Sequence, residues 1–115
     1  MHCTSTYPSE NNELNLYCIE TFMDELNCCN VPIGYSGHER GIATTVAAVA
    51  LGACVIERHI TLDRTLWGSD QSSSLEPHGF TRLVRDIRAV EEALGDGKKI
   101  VYDSELPIIE KLRRV

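Results

Sequence analysis

Apolar and polar positions along the chain switch between a two-residue and a helical rhythm, and the switch points mark three strand–helix pairs. Met1 to Thr6 is a short strand-competent run, closed by the polar turn Tyr7-Pro8-Ser9-Glu10-Asn11-Asn12. Leu14, Leu16, Ile19, Phe22, Met23 and Leu26 then recur close to helical spacing, and Cys28 to Asn30 ends that helix. Val31 to Ser36 is the second predicted strand, with Pro32 tolerated near its start. Gly41 to Gly52 is rich in alanine and valine on nearly every side, which predicts a helix buried against a sheet and stopped by glycine. Cys54 to Ile60 is the third strand. After a loop holding Trp67-Gly68-Ser69-Asp70, Glu76-Pro77 opens another helix. Its stripe is Phe80, Leu83, Val84, Ile87, Val90 and Leu94, and Gly95-Asp96-Gly97 ends it.

The order βαβαβα implies parallel strands joined by helical crossovers, an α/β fold. Three parallel strands cannot close a barrel and would leave edges and one face uncovered. The chain therefore reads as a piece of a larger α/β fold, with Met1 an internal methionine or an artificial start. A small α/β domain complete in itself is the alternative. Residues 1–97 form the βαβαβα portion; residues 98–115 read as a connector, helical from Leu106 to Arg114.

Composition narrows the function classes. The 115 residues are 43% hydrophobic, enough for a packed core, and no long polar or repetitive tract points to disorder. A formal net charge of −6 argues against a nucleic-acid surface, since the basic clusters Lys98-Lys99 and Lys111 to Arg114 are short and interleaved with acids. No apolar run approaches the roughly 18–20 residues that span a bilayer, and the first residues lack signal-peptide character. Five cysteines without CxxC spacing read as free thiols, which places the expected compartment in the cytoplasm.

In parallel α/β folds, ligands gather at the carboxyl ends of the strands. Here the second strand runs into Ser36-Gly37-His38 and the third into Glu57-Arg58-His59. Period-2 geometry puts Ser36 and His38 on one face, and aligns Val55, Glu57, His59 and Thr61 likewise. A lone strand-end histidine is ordinarily a hydrogen-bonded structural residue. Two that end successive strands about 4.8 Å apart can share one cation. A two-histidine site without a close carboxylate leaves positions for water or substrate oxygens, as a Lewis acid requires. Neutral imidazoles are needed, so metal affinity should fall as pH drops through the histidine range. His2 and His78 lack such company and read as surface residues; Trp67 reads as a packing residue.

Longer motifs add more than spacing does. His2 to Pro8 (HCTSTYP), Ile33 to Glu39 (IGYSGHE), Glu57 to Asp63 (ERHITLD), Trp67 to Asp70 (WGSD) and Ser74 to Pro77 (SLEP) resemble the sialic acid synthase family, in order and over nearly the whole chain. That resemblance implies a (β/α)8 TIM barrel, of which this chain supplies the last three βα units, incomplete as given. It further implies that 98–115 lead toward an antifreeze-like domain and that the parent protein is a domain-swapped homodimer. The implied reaction condenses phosphoenolpyruvate with an N-acetylmannosamine-type N-acyl amino sugar and releases phosphate.

By the same resemblance His38 and His59 bind a divalent cation, manganese with magnesium or cobalt as alternatives. Ser36 contacts the phosphate of phosphoenolpyruvate. Ser5 stands near that substrate, where many bacterial members carry asparagine. Tyr7 and Asp70 line the sugar site. Glu57 belongs to the same motif as a candidate catalytic residue, its plainer alternative being to orient His59 or pair with a cation. The family's phosphate-binding lysines and catalytic glutamates lie on earlier strands, so the isolated chain is expected to be inactive.

Three rival readings stay open. Legionaminic or pseudaminic acid synthesis keeps the mechanism and changes the sugar, and a 6-phosphorylated sugar is a further variant. A non-catalytic or degenerate α/β fragment is an alternative of another class. An unrelated divalent-metal barrel enzyme is the last.

Overall fold

In a computed structural model, which describes residues 1–112, three parallel strands form one sheet in the order β1 (His2–Cys3), β2 (Gly34–Gly37) and β3 (Val55–Arg58). Helix α1 (Cys18–Leu26) connects β1 to β2, and α2 (Ala43–Ala50) connects β2 to β3. The long helix α3 (Pro77–Leu94) and the short α4 (Leu106–Leu112) follow. Each expected strand and helix is present, and the strands are shorter than expected. Arg113 and Arg114, expected to extend the last helix, lie outside the described residues. No helix among them is long and apolar enough to cross a membrane.

Local chemistry explains where the elements stop. The helix expected from Leu14 starts only at Cys18, because Asn15 takes a left-handed conformation (φ 43) and breaks the first turn. Asn30 is left-handed as well (φ 50) and turns the chain out of the 3-10 turn that follows α1. Pro77 opens α3, where its missing N–H costs nothing, and Gly95 (φ 59) ends that helix.

Register decides which residues share a face. Cys3 pairs with Ser36 and Ser36 with Glu57, while His2 pairs with Tyr35 and Tyr35 with Ile56. The second row belongs to the packed face, whose core is Ile19, Ile33, Tyr35, Ala48 and Ala53, with Leu16 and Ile56 against it. The first row belongs to the opposite face, toward which Val55 and Glu57 are exposed.

Beyond the strand ends the neighbours change. The carbonyl of His38 accepts from Ser9 N at 3.1 Å, and that of His59 accepts from Leu75 N at 2.8 Å. Thus β2 and β3 part company at their carboxyl ends, and each is continued by a different loop.

Three expectations are corrected, and the apolar stripe of α3 is only partly covered. His2 is buried, its Nε2 donating to the Leu14 carbonyl at 2.6 Å. Trp67 is wholly exposed rather than packed. In α2 only Thr45, Ala48 and Val49 are buried, since the helix meets the sheet on one side and α3 on another. In α3 Leu83 is buried, whereas Phe80, Val84 and Leu94 stay exposed. The Cα radius of gyration, 18.5 Å, exceeds the roughly 13 Å of a compact domain of this length.

Candidate functional site

His38 and His59 each stand one residue beyond the end of a strand, β2 and β3 respectively. Their ring centroids are 5.1 Å apart and the planes are nearly perpendicular, at 87°. Glu57 joins them: one ligand atom from each of His38, Glu57 and His59 lies within 4.8 Å of the others. The expectation of a two-histidine site without a close carboxylate is therefore corrected. Pairing of Glu57 with Ser36 across the ladder keeps its side chain on the histidine face, two residues before His59.

The surroundings orient both rings. Nδ1 of His38 is 2.9 Å from the Thr4 carbonyl, which can only accept, so the proton sits on Nδ1 and the Nε2 lone pair is free. Cys3 Sγ lies 3.8 Å from the same nitrogen and 3.5 Å from Ser5 Oγ. His59 is flanked by two carboxylates, with Nε2 3.7 Å from Glu57 Oε1 and Nδ1 3.5 Å from Asp70 Oδ2. His38 is buried and His59 only half-buried, so the pair opens toward solvent on the side of Glu57 and Asp70.

Of the other candidates, Tyr7 is drawn in closely. Its ring centroid is 4.2 Å from that of His38 and 5.7 Å from that of His59. Desolvation, then the negative charges of Asp70, Cys3 and Glu57, raise its hydroxyl above the ordinary pKa of 10.0. Tyr7 precedes a cis peptide bond to Pro8, in a loop stitched by Ser9 Oγ, which donates to the carbonyls of Thr4 (3.0 Å) and Thr6 (2.9 Å). The hydroxyl of Ser36 donates to Glu57 Oε2. Ser5 is exposed at the edge, bound to Cys3. Asp70 caps a 3-10 turn, its carbonyl accepting from the hydroxyls of Ser73 (3.0 Å) and Ser74 (2.7 Å).

A three-donor set of two imidazoles and one carboxylate, with His38 oriented by Thr4 and Asp70 close to His59, fits a divalent cation that keeps open positions. The group is exposed on one side, so substrate oxygens can complete the shell.

On the other face lies a polar network that sequence reasoning passed over. Glu39 is fully buried, accepting from Tyr35 Oη (3.0 Å), Thr44 Oγ1 (2.9 Å), Thr45 Oγ1 (2.6 Å) and Arg58 (3.1 Å). Burial pushes its carboxyl up, but the Thr45 hydrogen bond, the Arg58 charge and further hydrogen bonds outweigh this and leave it below 4.5. Burial lowers the Arg58 guanidinium, against the opposing pull of Glu39. Adjacency was the available signal: Glu39 follows His38 and Arg58 precedes His59, so strand alternation sends both to the face opposite the histidines.

Comparison with known proteins places nearly the whole chain in one family. The profile of the NeuB family matches residues 1–99. The chain is 52% identical over 112 residues to the human N-acetylneuraminate-9-phosphate synthase, covering 97% of this chain and 31% of that protein. It is 44% identical over 114 residues to the N,N'-diacetyllegionaminic acid synthase of Legionella pneumophila, covering 99% and 31%. Among solved structures, the N-acetylneuraminic acid synthetase of Leptospira borgpetersenii in complex with citrate superposes with a TM-score of 0.78 at 40% identity, over 95% of this chain and 37% of that one. The chain thus spans about a third of the length of these relatives.

Proposed function

Because the chain belongs to the NeuB family, we propose that it is the cation-binding portion of a nonulosonic acid synthase that joins phosphoenolpyruvate to an N-acyl amino sugar. The observation that carries this reading is the convergence of His38, Glu57 and His59 at the carboxyl end of a parallel sheet, with Tyr7 and Asp70 beside them. In this reading the three βα units are the last three of an eight-unit barrel, supported by the uncovered sheet face and the extended shape. Residues 98–115 lead toward a further antifreeze-like domain, in a cytoplasmic protein that dimerises by domain swapping.

The reaction forms a bond from the enol carbon of phosphoenolpyruvate to the aldehyde carbon of the open-chain sugar. Water adds at the neighbouring carbon, and the phosphate leaves as inorganic phosphate. A divalent cation, manganese in the first instance, supplies Lewis-acid stabilisation of charge growing on the aldehyde oxygen. His38, Glu57 and His59 would hold it, on the side of the sheet that is open to solvent. Asp70 orients His59 and stands within reach of sugar hydroxyls, and Tyr7 covers the histidines and limits water. Ser36 holds Glu57 in place through its one O–H, and that proton would have to turn from Glu57 to serve a phosphate oxygen, with Ser5 nearby. These are alignment contributions rather than bond-making ones.

The test is a transplant. Residues 1–112 replace the matching segment of the human synthase, and phosphate release is followed with phosphoenolpyruvate plus either N-acetylmannosamine or its 6-phosphate. The expected result is sugar-dependent phosphate release that needs Mn2+ and is lost on His38→Ala with His59→Ala. An active chimera indifferent to both substitutions would remove the cation site from the mechanism. A folded but inactive chimera would favour a degenerate segment.

A further inference from the structure

The two histidine-bearing segments are not held to each other by the sheet. Backbone pairing of β2 and β3 stops at Gly37 and Arg58, one residue short of His38 and His59. From there each segment bonds elsewhere, to Ser9 and to Leu75. A shared site nonetheless needs the two rings held to a few tenths of an ångström.

One side chain bridges the opening. Arg58, 1% exposed, sends Nη1 to Glu39 Oε1 (3.1 Å), the Gly41 carbonyl (2.9 Å) and Thr45 Oγ1 (2.7 Å). Its Nη2 donates to the Glu39 carbonyl (2.8 Å) and the Ser73 carbonyl (3.2 Å). Three backbone carbonyls from two loops therefore converge on one planar guanidinium. Glu39 and Gly41 lie just after His38, and Arg58 itself just before His59. Ser73 belongs to the 3-10 turn (Gln71–Ser73) capped by Asp70, the carboxylate beside His59.

We propose that Arg58, paired with Glu39, is the positioning residue of the cation site: its guanidinium fork replaces the missing ladder and fixes His38, His59 and Asp70 relative to one another from the opposite face. The proposal rests on the cation reading of His38 and His59 given above. Fork geometry is what matters. A lysine keeps the charge beside Glu39, but a single ammonium cannot reach the two sets of acceptors that Nη1 and Nη2 serve. Removing both charges together leaves no buried ion without its partner, so the fold can survive while the fork is lost.

The experiment is an Mn2+ titration of the 115-residue chain, read by loss of the free-ion EPR signal, beside far-UV circular dichroism and thermal melts. It compares wild type, Arg58→Lys, the double variant Glu39→Met with Arg58→Met, and a His38→Ala, His59→Ala control. Expected is a wild-type chain that binds one Mn2+, abolished in the control. Both Arg58 variants should keep the wild-type fold yet weaken Mn2+ about 10-fold or more, as loss of an outer support typically does. Affinity within twofold of wild type in either folded variant would overturn the proposal. So would failure of both variants to fold, which would assign the pair to the core alone. A folded wild-type chain that binds no Mn2+ would defeat the cation reading itself, an outcome distinct from a wild type that binds and variants that match it.

Discussion

Nδ1 of His38 donates to the carbonyl of Thr4 across 2.9 Å, and this contact selects the nitrogen left for a ligand. Only Nε2 then carries an available lone pair. Adding Zn2+ to the 15N-labelled chain should shift Nε2 of His38 while Nδ1 stays protonated, and His38→Ala should weaken Mn2+ by at least about 100-fold, beyond the range for an outer-sphere partner. A metal-induced shift at Nδ1, with the Thr4 contact broken, would contradict this assignment.

Glu57 distinguishes a three-donor site from a two-histidine one. Its Oε1 faces Nε2 of His59 at 3.7 Å, and its Oε2 accepts from Ser36. Glu57→Gln keeps the size and the Ser36 contact but removes the charge. The expected outcome is a loss of about 10-fold or more in Mn2+ affinity with an unchanged melting curve, because Glu57 is exposed and outside the core. Unaltered affinity would return the site to the two histidines.

The histidine cluster was legible in the sequence because strand alternation and strand adjacency are simple geometry. Two residues one step past successive parallel strands must be neighbours. Glu57 was placed on the correct face by the same alternation, but its closeness to both rings depends on rotamers and on where the strands diverge. Glu39 and Arg58 were harder, since charged residues are almost never fully buried unless paired, and the pairing joins two separate segments. Their burial arises from the packing of α2, whose Thr44 and Thr45 supply the carboxylate's donors. Helix existence was legible from periodicity, whereas the start of α1 was not. It depends on Asn15 taking a left-handed turn. Trp67, expected to be a packing residue, is fully exposed among the described residues.

Gly37 is packed tightly against the buried network. A Cβ there would stand 2.6 Å from Glu39 Oε2, 2.9 Å from Tyr35 Cε1 and 3.0 Å from Arg58 Cδ. None of these is the end of a free side chain, because the carboxylate, the ring and the arginine stem are all locked in the buried network. Gly37→Ala should therefore destabilise the chain by about 1–3 kcal/mol, the usual range for overpacking. Urea unfolding monitored by circular dichroism measures it, and a midpoint equal to wild type would show that the network yields without cost.

Tyr35 ties the network to alkaline stability. Burial, then the charge of Glu39 and the hydrogen bond to it, raise the hydroxyl well above its ordinary 10.0, with Arg58 opposing and Cys3 adding a smaller push. The neutral form is the one the fold prefers. A folded-state pKa raised above the unfolded value gives stability fully present below pH 10 and lost as pH rises through the folded value. Tyr35→Phe removes that limb. It also leaves Glu39 Oε2 without its 3.0 Å donor, at a cost of about 1–3 kcal/mol at neutral pH. The difference in unfolding free energy between wild type and Tyr35→Phe should accordingly be largest near neutrality and shrink above pH 10. A gap that stays constant or widens from pH 9 to 12 would mean that Tyr35 ionises as readily in the fold as in the open chain.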